Sequence, residues 1–143
     1  MARTRKLSDV LKRGYSDQEI HHIYELARFN LENGQIAKAE TILKGLVAVA
    51  PEFVPAYLGL TYIDLLNDNF DSALHNAKEA HKFDPSSPIA AIFLVTVLIS
   101  IGDFTTAGSH LGEVGDVIET SPNQNSNLVR FYRAQLARFK NLA

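Results

Sequence analysis

Three stretches decide the fold: GQIAKAETILKGLVAVAP at 34–51, DNFDSALHNAKEAHKFDP at 68–85 and GDFTTAGSHLGEVGDVIE at 102–119. Laid over one another they keep a fixed period of 34 residues, anchored by Gly34/Asp68/Gly102, Ile36/Phe70/Phe104, Ala39/Ala73/Ala107 and Pro51/Pro85. Upstream, Leu26/Leu60/Leu94 hold the same period, and the next position carries Ala27/Thr61/Val95. Self-similarity at such a period is the mark of a stacked architecture built from one supersecondary unit. Each anchor has a physical role. Glycine or a turn-tolerant residue reverses the chain. The aromatic or Ile two positions later plugs the gap between two helices. The small Ala lets the second helix of a unit approach the first closely. Proline ends that second helix because it cannot continue one.

This pattern resembles the tetratricopeptide repeat over about residues 20–121. It implies an all-α protein: a right-handed α-solenoid of three tetratricopeptide-type helix pairs plus a C-terminal capping helix. The expected organisation is a short basic N-terminal segment at 1–19, repeats at 20–53, 54–87 and 88–121, and a loop and C-terminal helix at 122–143. Ser16 and Glu19 form a capping box that opens the first helix. Helices are predicted at about 17–33, 36–49, 54–67, 70–83, 88–101, 104–119 and 127–141, with a short N-terminal helix at 7–13. Leu128, Val129, Tyr132, Leu136 and Phe139 make one stripe of the last helix, away from Arg130, Arg133 and Lys140. Gly108, Gly112 and Gly115 interrupt helix 104–119 at a cost of roughly 1 kcal/mol each relative to Ala. They predict a flat surface for that last helix, with Gly112→Leu expected to destabilise. The stretch Ile89–Ile101 is apolar nearly all round, which calls for burial of both its faces.

Composition fits a soluble globular chain: 143 residues, 46 % hydrophobic and 21 % charged, with no cysteine for a disulfide or thiolate metal site. The basic N-terminus lacks the apolar core of a signal peptide. The longest apolar stretch falls well short of the roughly 20 residues that span a bilayer. No membrane insertion and a cytoplasmic location are expected. Charge is uneven: residues 1–13 carry five basic and one acidic side chain, 120–143 four basic and none acidic, and 14–119 five basic and fifteen acidic. The basic ends read as solvated termini, with no motif for nucleic acid.

Catalysis is not expected. The sequence has no phosphate-binding, nucleophile-elbow or zinc-protease motif. His75 and His81 lie six apart, off a common helix face, and the pair His21/Glu25 is a lone i, i+4 coincidence. No metal and no cofactor are expected. Asp64 and Asp68 read as solvent-facing.

The resemblance also implies where a partner would sit. The first helix of each tetratricopeptide pair lines the concave side, and the family pattern assigns its inner positions. They are His21, Tyr24, Arg28, Leu31 and Glu32 in the first repeat. The second supplies Pro55, Leu58, Tyr62, Leu65 and Leu66, and the third Ile89, Ile92, Thr96, Ile99 and Ser100. A single Arg28 argues against a groove that clamps an acidic C-terminus. The apolar remainder suits an extended peptide or an amphipathic helix. Covering of the groove by the chain itself or by a second copy is the alternative use of that surface.

The order of parts is similar to a narrower family. IYELARFNLENGQIAKAETILKGLVAVAPEF, AYLGLTYIDLLNDNFDSALHNA and the tail ISIGDFTTAGSHLGEVGDVIETSP…LVRFYRAQLARF resemble class II chaperones of bacterial type III secretion. The resemblance implies a chaperone that holds a hydrophobic segment of a secreted translocator or needle subunit, with a possible homodimer through N-terminal helices. Tyr24 matches an aromatic position of that family's first repeat, whereas Arg28, Leu31 and Ile36 depart from it. A generic tetratricopeptide adaptor in another assembly is the alternative.

Overall fold

A computed structural model describes residues 14–121 and 125–143. The helix expected at 7–13 and the central part of the loop before the last helix lie outside the described residues. Seven helices are present among them: α1 (Asp17–Glu32), α2 (Ile36–Val49), α3 (Val54–Leu66), α4 (Phe70–Phe83), α5 (Pro88–Ser100), α6 (Phe104–Thr120) and α7 (Ser126–Leu142). Helices α1/α2, α3/α4 and α5/α6 pack as pairs, each second helix packs on the next first helix, and α1, α3 and α5 follow one another along one side. This is the stacked solenoid that the period predicts.

The turns inside the pairs repeat one device. Gly34, Asp68 and Gly102 all adopt positive φ, at 79°, 53° and 83°. In each, two backbone bonds close the helix end: Gly34 N–H to Leu31 O and Gln35 N–H to Asn30 O, then Asp68 to Leu65 and Asn69 to Asp64, then Gly102 to Ile99 and Asp103 to Leu98. This is the Schellman arrangement, which satisfies the last free carbonyls of a helix through a left-handed residue. Glycine adopts that conformation without a Cβ penalty, and Asp is one of the few other residues that tolerates it.

Helix starts are equally local. Ser16 Oγ accepts from Glu19 N–H at 3.1 Å while Glu19 Oε1 accepts from Ser16 N–H at 2.9 Å, the expected capping box. Ser87 caps α5 through Ala90 N–H, and Pro88 occupies the first helical position, where a missing N–H costs nothing.

The core follows the anchors. Ala39, Ala73 and Ala107 are each fully buried between the helices of their pair. Helix α5 is buried on nearly all sides, with Ile92, Val95 and Val97 at 0 % exposure. Helix α7 covers its second face: α7 packs on both α5 and α6, more extensively on α5. Tyr132 of α7 is buried, and Leu128, Val129, Leu136 and Phe139 pack against the same cluster.

Two expectations change. A Cβ on Gly108 would lie 3.0 Å from the Phe139 ring, and one on Gly115 would collide with the Tyr132 hydroxyl, so these two glycines seat α7. Gly112 faces open space and is exposed, so it plays no part in that contact. The matching pairs are each about two helical turns apart, Gly108/Gly115 against Phe139/Tyr132, and no side chain of α7 comes within 4 Å of a Cβ placed on Gly112 between them. Asp64 is buried rather than solvent-facing. Its Oδ2 accepts from Ser72 Oγ at 2.7 Å and from Asn76 Nδ2 at 2.9 Å, joining α3 to α4.

Candidate functional site

The inner wall is not uniform along the stack. In the first repeat, Arg28 projects into solvent between two carboxylates, 3.2 Å from Glu25 and 3.3 Å from Glu32. Those neighbours, Glu25 first, hold the guanidinium's pKa above its ordinary value. Arg28 is thus neutralised by its own helix and offers little net charge to a ligand. Beside it, Tyr24 stands edge-on to Phe53 at 5.6 Å, and His21 does the same at 5.2 Å. Phe53 caps the start of α3, so the seam between the first and second repeats is aromatic. Burial raises the Tyr24 phenol pKa, with Arg28 acting against it. Leu31 is half-buried.

The second repeat is apolar and open. Tyr62 is 44 % exposed and Leu66 53 %. Leu58 and Leu65 are half-buried, each resting on a core cluster with one side toward solvent. Leu58, Tyr62 and Leu66 follow one another at i, i+4 along α3, so the exposed line they make is hydrocarbon and one phenol.

The third repeat is largely closed. Ile92 and Ile99 are 0 % and 3 % exposed, consumed by the core rather than presented to a groove. Arg138 of α7 reaches across: one guanidinium nitrogen donates to Thr96 O at 3.4 Å and another to Ser100 Oγ at 3.0 Å. Thr96 and Ser100 are two of the five expected inner positions of α5, and both are bonded to α7. Ile89, at the start of α5, remains half-buried and lines a cavity of about 460 Å³ with Phe93, Leu128, Phe131, Asn125 and Asn127. The Phe93 and Phe131 rings meet edge-to-face at 5.2 Å.

Of the expected inner positions, then, Arg28, Tyr62 and Leu66 are exposed, and Tyr24, Leu31, Leu58 and Leu65 are half-buried. Ile92 and Ile99 are interior, Thr96 is bonded to α7, and Ile89 belongs to a separate pocket. Sequence reasoning missed Phe93, Leu128 and Phe131. Phe93 carried a readable signal, since its repeat equivalents are Glu25 and Gly59. A large aromatic at a position otherwise small or polar marks a contact the other repeats lack.

No group of three or more His, Asp or Glu side chains is placed to hold a metal ion among the described residues. No helix of the described residues is long and apolar enough to cross a membrane. Helix order, turns and inner wall define a tetratricopeptide-type α-solenoid. Among solved structures, the chain is similar to the type III secretion translocator chaperone SycD of Yersinia enterocolitica. An alternative dimer of it gives 21% identity over 88% of this chain and 95% of that one, with a TM-score of 0.75. SycD in complex with a peptide of the translocator YopD gives 20% identity over the same shares and the same TM-score. The C-terminal TPR-containing domain of a Plasmodium falciparum protein described as FK506-binding gives 16% identity over 89% of this chain and 95% of that one, with a TM-score of 0.67. No protein-family model matches the sequence, and no curated protein matches it significantly.

Proposed function

We propose that this chain is a non-catalytic chaperone of type III secretion, holding an apolar segment of a secreted translocator or needle subunit against its inner wall. The observation that carries this is the open hydrocarbon face of the second repeat, where Tyr62 and Leu66 are exposed beside half-buried Leu58 and Leu65. A contiguous apolar surface of this kind is a liability unless a partner covers it. An extended segment or amphipathic helix with aliphatic anchors fits it. The motif order of the sequence and the likeness of the fold to SycD, which has been seen with a YopD peptide, support the reading. The reading implies a cytoplasmic protein.

The test is co-expression with an export substrate from the same secretion system. Both proteins are expected to gain solubility and to co-purify. Leu58→Glu or Tyr62→Ala is expected to abolish capture while the helical circular dichroism spectrum is retained. Capture that persists in both variants contradicts the proposal.

A second reading, an adaptor in another assembly, is favoured by a different surface. At the free end of the stack α1 exposes Leu26 and Phe29. A partner or a second copy could use that face, and a homodimer there would serve either reading. Loss of self-association in Leu26→Ser/Phe29→Ser, with cargo capture intact, separates the two surfaces.

A further inference from the structure

The stack has two joints between second helices, α2 with α4 and α4 with α6. At the second joint His81 of α4 meets His110 of α6 edge to face, with ring centroids 5.1 Å apart. One period of 34 earlier, the same two positions hold Val47 and Asn76, neither of which titrates. Both histidines are half-buried, and His81 Nδ1 is shut off from solvent with no hydrogen-bond partner. A neutral ring meets this most cheaply with its proton on Nε2, which leaves Nδ1 a bare acceptor rather than a buried unbonded N–H. Protonation adds that N–H and a charge where nothing accepts them, at the full cost of desolvation. Space to leave lies alongside. A cavity of about 180 Å³ has His81, Ala91, His110 and Glu113 among its walls. Its volume equals that of about six liquid waters, which is ample for an imidazole.

We propose that the His81–His110 contact is an acid-operated latch on the second joint: on protonation His81 leaves its slot for the cavity, Glu113 receives the imidazolium, and α4 and α6 part locally. The charged groups around His81 fit this. From α6, Glu113 favours the charged ring and His110 opposes it. The Glu113 carboxylate is largely exposed, 3.8 Å from His110 Nδ1, and so is free to move. From α5 and the loop before it, the cavity receives only Pro85, Ser86, Ser87, Pro88 and Ala91, none of them titratable. Asp84, at the end of α4, accepts from Ser86 Oγ. On α4 itself Lys78 is exposed, and Lys82 pairs with Glu79 and lies over the Phe83 ring. The freed ring binds a proton more readily than the seated one, so the latch is shut above about pH 6.5 and opens as pH falls below it. Helix α5 packs on both α4 and α6, so the opening is passed to the side of the stack that forms the inner wall. The first joint, with Val47 and Asn76, stays shut.

The chain has no cysteine, so spin labels on introduced cysteines report chosen pairs of sites. Labels at His75→Cys and Gly112→Cys span the second joint, and labels at Lys44→Cys and His75→Cys span the first; all three sites are exposed. Double electron–electron resonance distances on the full chain are compared from pH 7.5 to 5.5, with the His81 Cε1–H proton resonance titrated alongside. The second-joint distribution is expected to shift to longer distance and broaden in acid, with its midpoint following that of His81. The first-joint distribution is expected to stay as it is. His81→Gln should keep the neutral-pH distance throughout, and Glu113→Gln, at an exposed position, should move the midpoint to lower pH. An unchanged second-joint distance over this range overturns the proposal. So does an acid shift that persists in His81→Gln, or an equal shift at both joints, which marks general loosening. Should His81→Gln fail to give a helical circular dichroism spectrum, Glu113→Gln decides: a midpoint equal to that of the parent chain overturns the proposal.

Discussion

The two ends of the stack meet the same problem and solve it differently. Every first helix has a face that the preceding second helix must cover. At α3 and α5 that face carries Leu60 and Ile63, and Leu94 and Val97, at exposures of 4, 0, 4 and 0 %. The equivalents on α1 are Leu26 and Phe29, exposed at 52 and 63 %. Nothing among the described residues covers them. At the other end, α7 closes α5 and α6, seated by two glycines and tied down by Arg138. Among the described residues, then, one end of the stack is closed by α7 and the other leaves Leu26 and Phe29 exposed, so the same repeat position is core in one unit and surface in another.

The sharpest way to break this comparison is to truncate equivalent residues. Ile63→Ala should destabilise the fold by about 2–5 kcal/mol, the usual cost of a fully buried large-to-small change. Phe29→Ala, at the same repeat position, should shift the melting curve by no more than about 0.5 kcal/mol when the chain is monomeric. Denaturant melts of both variants at low protein concentration check this. An equal loss would mean that α1 is covered after all.

The closing end gives the next largest effect. Gly115→Leu forces a side chain into Tyr132 and should cost about 1–3 kcal/mol, the range for overpacking. Gly112→Leu should leave thermal stability unchanged or slightly raised, since glycine disfavours helix and the site is open.

The smallest expected effect is on pH dependence, again confined to the C-terminal half. His81 of α4 stands edge-on to His110 of α6 at 5.1 Å. Its Nδ1 is buried without a hydrogen-bond partner. Burial first, and then His110, holds its pKa below the ordinary 6.5, with Glu113 opposing. The folded state therefore resists protonation more than the unfolded chain does. Stability is fully present above about pH 6.5 and falls as acid is added through and below that value. Thermal melts from pH 7.5 to 5 should show this decline, and His81→Gln should flatten it.

Much of the fold was legible because its determinants are local and periodic. Gly34, Asp68 and Gly102 announce left-handed turns, Ser16 with Glu19 a capping box, and the observed helix ends fall within a residue of the expected ones. The site was only half legible. A position rule says which way a residue points; of the positions it named, Tyr62 and Leu66 are exposed. It says nothing of what else arrives at that point. Ile92 and Ile99, expected on the inner row, are instead buried in the core cluster that α4, α5, α6 and α7 build together. Asp64 was misread for the same reason: its partners Ser72 and Asn76 lie on another helix, and only pairing brings them to its carboxylate. The pocket of Phe93 and Phe131 joins residues 38 apart whose meeting depends on where the last helix docks.

The central claim is that the open hydrocarbon face of the second repeat is where a partner segment lies. Hydrogen–deuterium exchange on the chain with and without a co-purified export substrate tests it most directly. The account predicts new protection in α3, centred on residues 58–66, with little change in α2 and α4. Protection confined to the outer helices, with α3 exchanging as it does in the free protein, would contradict it.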